Sequence, residues 1–322
     1  MKYVDHKVIK TAIGTFISIY LADIFGIQFG ATAGIVTIIS IQATKKESFV
    51  IAFERFLASL IGLFIAVISF QIFGYSPLTF GLFILIFMPL CLKFKLFQGF
   101  LCTVVLATHI LSLKEVSFPI VMNEVYILFL GIGVALILNM YMPNMGKELE
   151  IKRKNIDILM KILINYFGDV LITGSVFINE DKVFKELKKE LDEAREIAFQ
   201  EYNNDLFDSS RQNIDFVQMK RNQYKILLRM RKHFYRFYLS SAHTPIISEF
   251  AGKVSDAIGV DQLYQGVLVE LERIREVFKK MPLPQSRVEF ESRATLFQFL
   301  NDIEEFLEMK KDYMEKWRDS KR

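Results

Sequence analysis

The chain has 322 residues, 52% hydrophobic and 24% charged, with a formal net charge of +4. Its two cysteines, Cys91 and Cys102, are too few for a disulfide framework. There is no G-x-x-x-x-G-K-[ST] phosphate loop, no His/Cys/carboxylate set at metal-ligand spacing and no recognisable nucleophile motif. The expectation is therefore a protein that is not an enzyme and carries neither metal nor cofactor.

Charge is unevenly spread. Residues 1–146 hold 9 Lys+Arg and 6 Asp+Glu, whereas residues 147–322 hold 31 and 30. This predicts a transmembrane domain over 1–146 and a soluble helical domain over 147–322. The expected fold is all-α: a polytopic membrane bundle of about six transmembrane helices followed by a cytoplasmic antiparallel helical bundle.

Apolar segments run over about 8–27, 29–42, 49–73, 76–92, 96–113 and 124–142. The opening lysines, the first segment and Ala31-Thr32-Ala33 imitate a signal peptide, but apolar character continues for another hundred residues. A span needs about 20 residues, so the second segment is short and predicts a thin or broken helix leaning on its neighbours. Basic residues alternate along the connections. Lys2, Lys7 and Lys10, then Lys45 and Lys46, then Lys93 and Lys95, then Lys147 to Lys154 share one side; only Lys114 falls on the other. The positive-inside rule then places both termini in the cytoplasm of a multi-pass inner-membrane protein.

Small residues recur at helical spacing within the segments. Arg55, Ser59, Gly62, Ala66 and Ser69 form one face of the third, and Thr11, Thr15, Ser18 and Ala22 one face of the first. Gly99, Thr103 and Ala107 do the same in the fifth, and Gly131, Ala135 and Asn139 in the sixth. Such stripes are packing seams where lipid offers no hydrophobic drive. Arg55 therefore points into the bundle. Either it is an interfacial pin paired with Glu54 or a neighbour, or with Lys45 and Lys46 it makes a cationic vestibule for a small organic anion. Asp23, Glu54 and His109 are the candidates for carrying protons, against a plain boundary role.

The second half shows 3.6-residue periodicity in almost every window. Examples are Phe184, Leu187, Leu191, Ala194 and Ala198, and Val260 through Phe278. Breaks near Asn203, Pro245, Pro282–Pro284, Gly168 and Gly174 suggest about five helices. From Lys220 to Arg236 there are seven basic residues (Lys220, Arg221, Lys225, Arg229, Arg231, Lys232, Arg236) and no acidic one. That face could meet membrane lipids or an anionic ligand, or it could pair with an acidic helix such as the one carrying Glu186, Glu190, Asp192, Glu193 and Glu196. Nucleic acid is not expected as a partner, because this half is nearly neutral.

The runs KTAIGTFISIYLADIFGI, AGIVTIISIQATKKES and AFERFLASLIG resemble the amino-terminal signature of the bacterial aromatic acid exporter family, in its short Gram-positive branch. The matching pattern is Gln42, Thr44, Lys45, Lys46, Arg55, Ala58 and Gly62, and the resemblance runs through all six segments, with the charged half similar to that branch's helical domain. Larger relatives, similar to fusaric-acid-resistance proteins, carry two such membrane halves and export aromatic carboxylates. The resemblance thus implies a homodimeric, proton-coupled exporter of organic carboxylates, with Arg55, Lys45, Lys46, Gln42 and Thr44 near the substrate. The alternative is a membrane-anchored sensor or scaffold whose cytoplasmic bundle binds a partner or lipid.

Overall fold

The computed structural model describes residues 2–142, 145–173, 179–205, 210–234 and 244–319. Among them the secondary structure is helical: α1 Lys2–Ile24, α2 Ala31–Ser40, α3 Lys45–Phe73, α4 Pro77–Lys93, α5 Phe97–Leu113, α6 Phe118–Met140, α7 Gly146–Thr173, α8 Glu180–Asn204, α9 Arg211–Phe234, α10 Thr244–Ala257, α11 Tyr264–Lys279 and α12 Arg287–Asp319. The chain divides into two compact units, the first carrying α1–α6 and the second α7–α12.

In the first unit, local chemistry sets the helix starts. The Thr44 hydroxyl accepts from the Glu47 backbone N–H to begin α3, and Ser76 does the same for Thr79 with Pro77 in the first turn of α4. Two helices, α3 and α6, are long and apolar enough to cross a membrane; α2, α4 and α5 are apolar but have 10–17 residues. The small-residue stripes are the seams. On α3, Arg55, Ser59, Gly62, Ala66 and Ser69 are all buried. A Cβ on Gly62 would lie 2.2 Å from Thr103 Cγ2, and one on Gly99 would lie 2.5 Å from Ala58 Cβ, so α3 and α5 approach almost backbone to backbone. Outward, the unit shows large apolar side chains to its surroundings, among them Phe16, Phe53, Phe64, Phe73, Leu85, Phe118 and Phe129. A surface this apolar fits lipid rather than water.

α2 is the irregular element. At 10 residues it spans only about 15 Å, half of a ~30 Å hydrocarbon core. It is held by others: Thr37 Oγ1 donates to the Gly131 carbonyl of α6 at 3.0 Å and lies 2.5 Å from Ser18 Oγ of α1.

The second unit has six described helices rather than about five. The break expected at Pro245 coincides with the start of α10, where the proline's missing N–H costs nothing. Gly168 does not break α7, which runs through it to Thr173; the glycine packs against Ala251, with room for only a 3.2 Å approach by a Cβ. Gly174 lies outside the described residues. The expected stripe of α8 is buried throughout, in one core with α7, α9, α10, α11 and α12. In the next stripe Val260 is exposed and precedes α11, while Tyr264, Val267, Leu271 and Ile274 are buried.

Candidate functional site

The first unit holds two buried polar clusters, one at each end of α2. At its carboxy-terminal end, Arg55 is 4% exposed. Its Nη1 donates to Ser40 Oγ, in the last residue of α2, at 2.6 Å, and its Nε to the Gln98 carbonyl at 3.1 Å. Asn139 Nδ2 of α6 donates to the Ser40 carbonyl at 3.2 Å, so α2 ends on a node joining α3 and α6. The negative end of a helix dipole favours a cation. Among the described residues no carboxylate lies within 4 Å of the guanidinium, and Glu54, half-buried beside it, makes no ion pair.

Lys45 and Lys46 occupy the first turn of α3, about 14 Å along the helix axis from Arg55. They are half-buried and do not touch it. Gln42 turns back on its own segment, its Nε2 donating to the Ile39 carbonyl at 3.2 Å, and Thr44 is the α3 cap. Of these five residues Arg55 and Thr44 are buried, while Gln42, Lys45 and Lys46 are half-buried.

At the amino-terminal end of α2 lies the cluster that the sequence showed only in part. His109 Nδ1 of α5 is 2.7 Å from Glu124 Oε2 of α6, and both residues are buried, Glu124 completely. His109 Nε2 is 3.1 Å from Thr32 Oγ1 of α2. Phe29 lies flat on the imidazole, with centroids 4.1 Å apart and planes within 5°. Asn123 pins the turn that carries Phe29, accepting from Gln28 N at 2.9 Å and donating to Gln28 O at 3.0 Å. Phe29 has φ 57°, a left-handed conformation that costs an aromatic residue about 1–2 kcal/mol. In sequence Glu124 stands at the boundary of the apolar segment 124–142, which hides its burial. α6 begins at Phe118, with Pro119 in its first turn, and places Glu124 two turns inside. Ser117-Phe118-Pro119 was the available signal. Asp23 is exposed at the end of α1.

Two family models cover nearly the whole chain: aromatic acid exporter family member 1 over residues 2–142, and the aromatic acid exporter C-terminal domain over residues 146–311. The chain belongs to the aromatic acid exporter family. It is 30% identical, over 95% of each chain, to the uncharacterized protein YqjA of Bacillus subtilis (strain 168). It is also 28% identical to a UPF0421 protein of Oceanobacillus iheyensis, over 48% of this chain and 45% of that one. A UPF0421 protein of Bacillus subtilis, YgaE, is 36% identical over 28% of this chain and 26% of its own.

In the exporter family's carboxy-terminal domain, the basic helix is α9, and four of its cations already have carboxylates. Lys220 Nζ is 2.6 Å from Asp157, Arg221 2.6 Å from Asp192, Arg229 2.8 Å from Asp302, and Arg231 2.8 Å from Glu180. Arg229 also meets Glu305. Glu190 and Glu193, expected to face α9, instead hold Lys152 of α7. Lys225 and Lys232 are exposed, and Arg236 lies outside the described residues. Lys220 is almost wholly buried, and that burial pushes its ammonium below the usual lysine range against the pull of Asp157. Burial likewise raises Glu180, opposed by Arg231. The charge run is therefore spent largely on ion pairs with carboxylates of its own unit.

Proposed function

We propose that the chain is a secondary transporter that crosses the inner membrane six times and exports aromatic or other organic carboxylates as a homodimer, driven by the proton gradient. Both termini, the lysine-bearing connections and residues 147–322 face the cytoplasm in this reading. Family membership, the alternation of lysines and the apolar outer surface of α1–α6 support it.

The observation that carries the anion site is Arg55, a buried guanidinium whose hydrogen-bond partners among the described residues are neutral. A cation taken out of water needs a compensating charge, and neither a hydroxyl nor a carbonyl supplies one in full. A carboxylate arriving from the Lys45–Lys46 side would supply it and meet the guanidinium's planar fork. The short α2 ends at this depth, its buried last turn held by Arg55 and Asn139, and helix ends within a membrane domain are common at binding sites.

The test uses everted vesicles and labelled benzoate and related acids, with and without a proton gradient. Arg55→Ala is expected to abolish flux and Arg55→Lys to impair it strongly, with the folded protein still present, because lysine offers charge without the fork. Normal flux in Arg55→Lys would reduce Arg55 to a pin that holds the end of α2. Absence of gradient-dependent flux across a broad set of acids would favour the sensor or scaffold.

A further inference from the structure

We propose that His109 and Glu124 form the proton-exchange site of this carrier, and that α2 conveys the state of the pair to Arg55. The inference rests on the carrier reading above and deepens it.

A completely buried carboxylate in direct contact with a buried imidazole is an expensive arrangement, and ionisable groups in spans concentrate on proton pathways. Its protonation states make the case. With one exchangeable proton the pair is neutral, whether written as imidazolium with carboxylate or imidazole with carboxylic acid. Releasing that proton leaves a net negative charge in a low-dielectric site, with the Thr32 hydroxyl and the Asn123 amide, 3.3 Å from Glu124 Oε1, as nearby dipoles. The pair therefore offers one exchangeable proton shared between two buried groups.

Access is controlled by the turn between α1 and α2. Phe29 covers the imidazole, and Asn123 clasps the turn to the residue beside Glu124. Moving the turn would let Phe29 leave both the stack and its left-handed backbone, which makes it a cover suited to opening. Other ionisable groups at this end are few. Asp23 on α1 is exposed, with Oδ1 3.4 Å from where a Gly30 Cβ would stand, and Lys114 and Glu115 in the α5–α6 turn are exposed. Tyr126 on α6 is exposed, and α2 carries no charge; the charges of α3 and α4 lie at the opposite end.

The link to the anion is α2 itself. Thr32 in its first turn touches His109, and Ser40 in its last touches Arg55. Loss of the proton places a negative charge near the positive end of the α2 dipole, while an anion at Arg55 weakens the hold of that guanidinium on the negative end. One short helix, packed rather than spanning, is thus biased from both ends, which is the physical requirement for coupling two sites.

The experiment reconstitutes the full chain in liposomes and measures labelled benzoate in two modes: exchange without a gradient, and flux driven by a pH gradient. Glu124→Gln, an isosteric neutral form, is expected to keep exchange and lose gradient acceleration completely. Arg55→Lys should strongly impair both. Glu124→Asp, which keeps an acid if the glutamine variant folds poorly, should shift the pH at which driven flux is half-maximal. Gradient acceleration retained in Glu124→Gln, or an unshifted pH profile in Glu124→Asp, overturns the proposal. If the wild type carries no acid at all, the carrier reading fails by itself. The proton site is then judged by infrared difference spectra between acid and alkaline pH. A pH-dependent band of the pair, carboxylic C=O or imidazolium, that is present in wild type and absent from Glu124→Gln supports it, and no such band overturns it.

Discussion

Arg55, Glu124 and Lys220 are three buried charges handled in three ways. Arg55 meets dipoles, Glu124 an imidazole, and Lys220 an opposite carboxylate. The direction of Arg55 was legible from the small-residue stripe it continues, but its partners were not. Ser40 and Gln98 reach it through a helix end and a loop carbonyl, and neither leaves a periodic trace in sequence. Lys220 gives a test at this scale. Lys220→Met strands Asp157 and is expected to cost about 3 kcal/mol, whereas Lys220→Met with Asp157→Leu should recover most of it, because the pair's attraction barely offsets its desolvation. Thermal unfolding of the detergent-purified chain reads the cycle. The pH sign follows from the lowered ammonium. Across the alkaline range below the ordinary lysine value the unfolded chain binds the proton more tightly. Stability contributed at this site therefore rises with pH there, and the wild type gains on the double variant.

Elements were read better where one face meets a core than where a helix is broken. α8 carries a strict stripe and lies where the periodicity put it, buried against the rest of its unit. α2 was recognised as short, but that its two ends anchor the two polar clusters depends on α5 and α6, far along the chain. The break at Pro245 was legible because proline favours the first turn of a helix, and α10 starts there. The seating of α2 makes a second prediction. A Cβ on Gly131 would lie 2.6 Å from Val36 Cβ and 2.7 Å from the Ala33 carbonyl, while one on Gly133 meets nothing within 4 Å. Gly131→Ala should lower stability by about 1–3 kcal/mol by forcing α2 from α6, and Gly133→Ala should not. Equal melting temperatures would mean that α2 is loosely held.

For the whole molecule, the proposal requires that the two ends of the α1–α6 bundle face different compartments. The connection after α4 carries Lys93 and Lys95, and the one after α5 carries Lys114 beside Glu115, all exposed. The positive-inside rule puts the first in the cytoplasm and leaves the second outside, where protons would enter toward His109. Cys91 and Cys102 are buried, so replacing both by alanine gives a silent background once folding is verified. Single cysteines at Lys93 and Glu115 in that background are then treated, in intact cells, with a thiol reagent that cannot cross membranes. The residue-115 site should label at once and the residue-93 site only after permeabilisation. The reverse pattern would turn the protein over, putting the proton pair on the cytoplasmic side and Arg55 toward the exterior. The same arrangement of residues would then favour uptake over export.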